Sequence, residues 1–397
     1  MIDFDNVVKR LDTDSLKYDF AKKRGMPEGV LPMWVADMDF PAPDCVIKAL
    51  SEKSRHGIFG YSDTREDYFS VLSSWFLRRF SFEIQPEWLI KTPGVVYAIA
   101  AAIRAYTAPG DAVLIQPPVY YPFSDCILRN RRTLVENPLV LKDGHYEIDF
   151  AGFEQAIQDN HVKLFLLCSP HNPVGRVWTR QELTKLGEIC LAHDVIVISD
   201  EIHQDFVYPA FQHHVFAGIA PAFKKISVTL TAPTKTFNLA GLQLSNIFIP
   251  DKNLRGLFLN EIAASGYSQP NVMGIIACKA AYAKGEMWLN ELLYYIKCNL
   301  RFLETFLKEN LPQVKPIAPE GTYLCWLDMG GLGLNADEMN RLIVHDAKLW
   351  LDDGRMFGPC GEGFQRMNIA CPQPVLKEAL NRLADALQPR ELLRKAE

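Results

Sequence analysis

Short apolar runs recur along the chain, and each ends in polar residues that break its pattern. Ala112-Val113-Leu114-Ile115 leads into Gln116-Pro117-Pro118-Val119-Tyr120-Tyr121-Pro122, and Lys163-Leu164-Phe165-Leu166-Leu167-Cys168 into Ser169-Pro170-His171-Asn172-Pro173-Val174-Gly175-Arg176. Val195-Ile196-Val197-Ile198-Ser199 leads into Asp200-Glu201-Ile202-His203, and Ile226-Ser227-Val228-Thr229-Leu230 into a segment from Thr231 to Leu242. Runs this short and apolar read as buried strands. Amphipathic stretches, such as residues 180–193, lie between them and read as helices. The alternation predicts an α/β fold with a mostly parallel central sheet covered on both faces. In such a sheet ligands bind beyond the carboxyl ends of the strands. Tyr120, Asn172, Asp200 and Lys235, distant in sequence, are therefore expected at one edge.

The flanking pattern is different. Residues 31–43, Leu31-Pro32-Met33-Trp34-Val35-Ala36-Asp37-Met38-Asp39-Phe40-Pro41-Ala42-Pro43, show no helical period and carry three prolines. They read as an extended arm lying on the body and not as a core element. Helices are expected over residues 44–54 and 65–79, and Gly94 opens an alanine-rich helical segment. A glycine turn at a helix start presents free backbone N–H groups and suits a phosphate, although many such helices bind nothing. Pro233 is expected to end its strand, since it has no N–H for a ladder. Past a strand at 246–249, helices dominate: 271–284, a long one over 287–309, 335–347, and a last one after Pro374. The long helix reads as a bridge to a smaller α+β C-terminal domain. The expected organisation is residues 1–45 as an N-terminal arm and part of the small domain, 46–286 as the large domain, and 287–397 as the small domain.

Composition narrows the class. With 48% hydrophobic and 22% charged residues and a net charge of −5, the 397-residue chain has ordinary globular usage. Its basic residues are scattered, so neither nucleic acid nor an anionic membrane is expected as a partner. The nine cysteines are isolated and lack C-x-x-C spacing, which points to a reducing compartment and against structural zinc or a disulfide framework. No apolar run spans a bilayer and the acidic start is unlike a signal peptide. A cytoplasmic location is expected.

The polar residues that end the runs have competing readings. Lys235 stands alone among small, hydroxyl and apolar residues just past a strand. It is either a loop lysine or a partly desolvated amine able to form a Schiff base. Asp200 either caps the next helix or holds a protonated pyridine nitrogen, keeping the ring an electron sink. Asn172 either stabilises its turn or donates to a phenolate oxygen. His203 is either a satisfied core histidine or a neighbour of that oxygen. Tyr120 offers a face for a planar ring. Tyr61, after the turn at Gly57–Gly60, can be an aromatic covering an edge. An aldehyde-binding lysine, a carboxylate for a ring nitrogen, an amide for a ring oxygen, an aromatic face and a helix start for a phosphate together describe pyridoxal 5′-phosphate. No metal ligand set is seen.

With these motifs the chain resembles the fold-type-I pyridoxal phosphate enzymes of the aspartate aminotransferase superfamily, and within it the MalY/PatB-type cystathionine β-lyase branch. The resemblance rests on Pro32 to Phe40, His171 to Trp178, Ser199 to His203 and Lys235 to Leu242. It implies that Lys235 carries the Schiff base, Asp200 meets the pyridinium, Asn172 and His203 adjoin the ring oxygen, and Tyr120 stacks on the ring. It implies that the backbone of Val95 and Val96 and the Thr234 hydroxyl hold the phosphate, and that Arg366 clamps the substrate carboxylate. It also implies a homodimer in which Tyr61 reaches the phosphate of the partner subunit. Two positions depart from the aminotransferase pattern. Gln243 replaces an arginine eight residues after the lysine, and Ala232 replaces a hydroxyl residue three before it, which thins the phosphate contacts. The expected activity is β-elimination from L-cystathionine or a related cysteine S-conjugate, giving a thiol, pyruvate and ammonia. An aminotransferase on the same scaffold and a cofactor-binding regulatory protein are the alternatives.

Overall fold

The computed structural model describes residues 2–394. Seven strands form the main sheet, in the spatial order Leu89–Thr92, Ser245–Phe248, Ser227–Thr231, Ile196–Asp200, Leu164–Cys168, Ala112–Ile115 and Thr133–Glu136. Pairing is parallel from Ser227–Thr231 to Thr133–Glu136, whereas Ser245–Phe248 runs antiparallel to both of its neighbours. Side-chain alternation divides the core. Val113, Ile115, Leu164, Leu166 and Ile198 pack on one face against the helix Val95–Tyr106. Ala112, Leu114, Phe165, Leu167 and Val197 pack on the other, against Leu183 and Leu186 of the helix Arg180–Ala192. Both faces are covered, so the strands read as continuous apolar runs. A Thr179–Glu182 capping box starts that second helix.

A second sheet is antiparallel, in the order Lys315–Pro316, Leu324–Asp328, Phe364–Asn368 and Asp352–Asp353. The helix Glu286–Asn310 leads to it, burying Trp288, Leu289, Leu292, Ile296, Leu300, Leu303 and Leu307 on a stripe of helical spacing. The helix Gln373–Arg394 closes the fold.

Three sequence expectations change. The arm is extended, and Leu31–Pro32 pairs in parallel with Leu349–Trp350. Yet Met33, Trp34, Ala36, Met38 and Phe40 are buried, most of them inside the largest core cluster. The arm is a core element without a period because it threads between the two sheets and buries residues on every side. Pro233 does not end its strand. The strand stops at Thr231, and Pro233 opens the helical turn Pro233–Thr236, where a missing N–H and a fixed φ suit the first position. The expected helix at 335–347 is Ala336–Asn340, continued in π geometry over Arg341–Asp346. The terminal residues 1 and 395–397 of the expected domains lie outside the described residues.

Candidate active site

Strand parity aims the functional side chains. Asp200 is in phase with Ile196 and Ile198, Cys168 with Leu164 and Leu166, and Thr92 with Ile90, so all face the side of the helix Val95–Tyr106. The strand holding Ser245 runs the other way, so its first residue lies at the edge where its neighbours end. There a cavity of about 320 Å³ is bordered by Val95, Val96, Tyr120, Asn172, Asp200, His203, Thr234, Lys235 and Arg366. These are the sequence-derived candidates apart from Tyr61. Tyr61 is 97% exposed and borders a separate shallow depression, which shares only Pro93 and Gln243 with the cavity.

Burial sets the charges. The Lys235 Nζ donates to the Ala36 carbonyl at 2.7 Å. Desolvation pushes its amine down to about 8, helped by Arg366 and opposed by the charges of Asp37 and Asp200. Asp200 is pushed up to about 7 by burial, against the Ile202 N–H that it accepts at 3.2 Å and the charge of Lys235. A carboxylate with one backbone donor, facing a cavity, is suited to a cationic or protonated ring nitrogen. Burial lowers His203 far below its ordinary value, with the charges of Lys235 and Arg366 adding to the effect, so it is neutral. Its Nδ1 is buried without a hydrogen-bond partner. Burial likewise raises the Tyr120 phenol, which stays protonated.

Arg366 is held on several sides. Its Nη1 donates to Asn172 Oδ1 at 2.9 Å, and its Nη2 donates to the Trp34 carbonyl at 3.0 Å and to Asp352. Its guanidinium lies 4.9 Å from the centre of the Phe357 ring. The Asn172 oxygen is thus taken, and its amide N–H₂ remains to donate into the cavity.

The arm of residues 33–40 closes one wall, fastened by buried polar contacts. Asn238 accepts from Met38 N and donates to the carbonyls of Met38 and Phe40. Asn368 donates to the carbonyls of Val35 and Asp37. Asp39 accepts from the fully buried Lys17 at 2.8 Å and from Arg10 at 2.7 Å. Tyr323 donates to the same Ala36 carbonyl that Lys235 uses.

The helix Val95–Tyr106 starts at Gly94 with no side-chain cap, and its first N–H groups border the cavity. Nearby, Ser245 is fully buried and its Oγ has no partner. Ala232 is buried outside the cavity, so the hydroxyls at this end come from Thr234 and Ser245. Sequence reading missed Ser245, Asp352 and the Ala36 carbonyl. For Ser245 a signal exists, since it is the polar residue in phase with Ile247. For the other two there is none.

This fold and site define an α/β protein whose desolvated lysine, buried acid and buried guanidinium meet at the carboxyl edge of a parallel sheet. The sequence profile of the family "Aminotransferase class I and II" matches residues 29–383, and the chain belongs to that family. It is 44% identical to Cystathionine beta-lyase PatB of Bacillus subtilis (strain 168) over 97% of this chain and 100% of that one. It is 32% identical to Protein MalY of Escherichia coli (strain K12), over 98% and 99% of the two chains. The crystal structure of cystalysin from Treponema denticola, which contains a pyridoxal 5′-phosphate cofactor, superposes with a TM-score of 0.95 at 38% identity, covering 98% of this chain and 99% of that one.

Proposed function

We propose that the chain is a pyridoxal 5′-phosphate-dependent carbon–sulfur β-lyase acting on L-cystathionine or a related cysteine S-conjugate. The observation that carries the reading is the gathering of Lys235, Asp200, Asn172 and Arg366 around one cavity, in a chain alike from end to end to PatB. The residues fit the cofactor. Lys235 would hold its aldehyde carbon, Asp200 its ring nitrogen, and the Asn172 amide its ring oxygen, beside the unpartnered His203 Nδ1. Tyr120 would cover the ring. The uncapped start of Val95–Tyr106, with Thr234 and the unpartnered Ser245, would receive the phosphate.

When bound, pyridoxal phosphate supplies an aldehyde for the substrate amine and a ring that accepts the electron pair left at Cα. The protein supplies the rest. Arg366 grips the substrate carboxylate and so fixes which bond at Cα faces Lys235. The Lys235 amine, lowered to about 8, is available in its neutral form to take the Cα proton, and the Ala36 carbonyl orients it. The C–S bond then breaks with its electron pair going to sulfur. The sulfur leaves as a thiolate, which takes up a proton to give the thiol, and the remaining three-carbon enamine hydrolyses to pyruvate and ammonia. Asp200 keeps the ring nitrogen protonated.

The site is read as shared in a homodimer, Tyr61 of one subunit reaching the phosphate end of the other. Its 97% exposure, beside Ile58 and Phe59 at 66% and 58%, supports this. Residues 46–286 are read as the cofactor-binding domain, with 1–45 and 287–397 forming the small domain. A cytoplasmic location is supported by nine cysteines without a disulfide. Among the described residues, no helix is long and apolar enough to cross a membrane.

The test is product accounting. Given L-cystathionine and no keto acid, the protein should make pyruvate, ammonia and homocysteine continuously. Arrest after one turnover, with restart on adding a keto acid, would replace this reading by an aminotransferase.

A further inference from the structure

The clamp Arg366 already meets a carboxylate of the protein. Asp352 lies opposite Arg366 in the register of two antiparallel strands, accepts from its Nη2, is buried, and borders the same cavity as Lys235. Beyond holding Arg366, it has no role assigned above. The charged residues bordering the cavity are the acids Asp200 and Asp352 and the bases Lys235 and Arg366. In the working site Asp200 is matched by the ring nitrogen, Arg366 by the substrate carboxylate, and Lys235 acts as a neutral amine. Gln243 adds no cation at the phosphate end. Asp352 and the substrate carboxylate then share the one cation Arg366, which leaves one negative charge on this wall that the common part of an amino-acid substrate does not neutralise. Burial raises the Asp352 carboxyl and Arg366 opposes that rise. The outlying cation Arg24, over the Trp34 ring at 5.3 Å, is exposed and screened by water.

We propose, resting on the lyase reading, that Asp352 is a specificity-determining residue: it favours thioethers whose far end carries an ammonium group and disfavours those whose far end is only an acid. In a cavity of about 320 Å³, a far-end charge stays within roughly 10 Å of Asp352. At an effective dielectric constant of about 20 that is worth tenfold or more in binding. L-Cystathionine carries both an ammonium and a carboxylate at its far end, so it lies between the two extremes.

The experiment compares S-(2-aminoethyl)-L-cysteine with S-carboxymethyl-L-cysteine, similar in size and opposite in far-end charge. Wild-type, Asp352→Asn and Asp352→Glu holoenzymes are compared by kcat/KM for pyruvate formation from both compounds, and the dissociation constant of any compound that is not turned over is measured by calorimetry. The wild type should prefer the aminoethyl compound about tenfold, Asp352→Glu should keep that preference, and Asp352→Asn should reduce it at least about fivefold. Should Asp352→Asn fail to fold, Asp352→Ser carries the same expectation. A wild-type preference for the carboxymethyl compound, or a neutral variant whose preference stays within twofold of wild type, overturns the proposal. Pyruvate from L-cystathionine tests the lyase reading separately. If none forms while calorimetry still shows the preference and its loss, the lyase reading fails and the role of Asp352 stands.

Discussion

Lys235 and Asp200 stand where apolar strands of the large sheet run out, Asp200 fixed by the phase of its strand, Lys235 by the helical turn that follows its strand, and both by burial. Arg366 stands inside an antiparallel strand of the small sheet. It is fixed by an amide from residue 172, a carbonyl from residue 34 and a carboxylate from residue 352. One wall of the cavity is thus set by local pattern and desolvation, the other by contacts between segments far apart in sequence. The difference teaches where each kind of mutation should act. On the lysine wall, the proposed chemistry depends on charge state. On the clamp wall, position is.

The largest effect should follow from removing the amine itself. Lys235→Ala is expected to lower pyruvate formation by about 10⁴-fold or more, since one group is asked to anchor the cofactor and to move the proton. Borohydride should no longer fix the cofactor to the chain. In the apoprotein, the lowered Lys235 amine is mostly neutral above about pH 8. Its acylation rate should therefore level off near pH 8, while exposed lysines keep gaining rate towards pH 10. A Lys235 whose reactivity rises in step with the exposed lysines would show that desolvation does not govern this wall.

Next comes Asp200→Ala, expected to cost about 10³-fold in kcat, because a charge partner of the electron sink acts mainly in the transition state. KM should change far less. An Asp200→Ala enzyme of near-normal rate would leave Asp200 as no more than a partner of the Ile202 N–H.

The same contrast decides what could be seen in the sequence. Asp200, Lys235, Tyr120 and Asn172 were legible because each lies in the polar segment that follows an apolar run, and the end of a strand has a known place in an open sheet. The covered parallel sheet was legible for the same reason. The buried arm was not, because a segment packed on several sides has neither a 3.6-residue nor a 2-residue period. Asp352 was hidden because it is adjacent to Arg366 only through the register of two strands joined by a loop. No local pattern says which main-chain oxygen of residues 33–40 will meet Lys235. The π turn at Arg341–Asp346 follows an unbroken helical pattern that the packing around it modifies. Tyr61 could be noticed, but it lies exposed outside the cavity of its own chain.

On the clamp wall, Arg366→Lys keeps the charge and loses the planar fork. It is expected to raise KM for the amino-acid substrate about 10- to 100-fold with a smaller change in kcat, because a lysine cannot serve Asn172, Asp352 and a carboxylate at once. Equal losses in kcat and kcat/KM, with KM unchanged, would mean that Arg366 acts on the reacting atoms and not on position.

The smallest effect tests whether a buried group on the lysine wall is held ready for a ligand. Ser245 Oγ is fully buried and unpartnered, which costs the empty fold roughly 1–3 kcal/mol of desolvation relative to a satisfied hydroxyl. If the hydroxyl waits for the phosphate, Ser245→Ala should have opposite effects in the two forms. The apoprotein should gain about 1 kcal/mol of stability, seen as a higher denaturation midpoint without a change in slope. The holoenzyme should lose about 1 kcal/mol of cofactor affinity, a weakening of roughly fivefold that equilibrium dialysis can read. A serine that only packs predicts no loss of affinity. A serine that holds the strand predicts a destabilised apoprotein. Only a hydroxyl kept unpaired for a ligand predicts the two signs together, so a Ser245→Ala protein that is less stable when empty, or that binds the cofactor as tightly as before, would remove Ser245 from the phosphate end of the cavity.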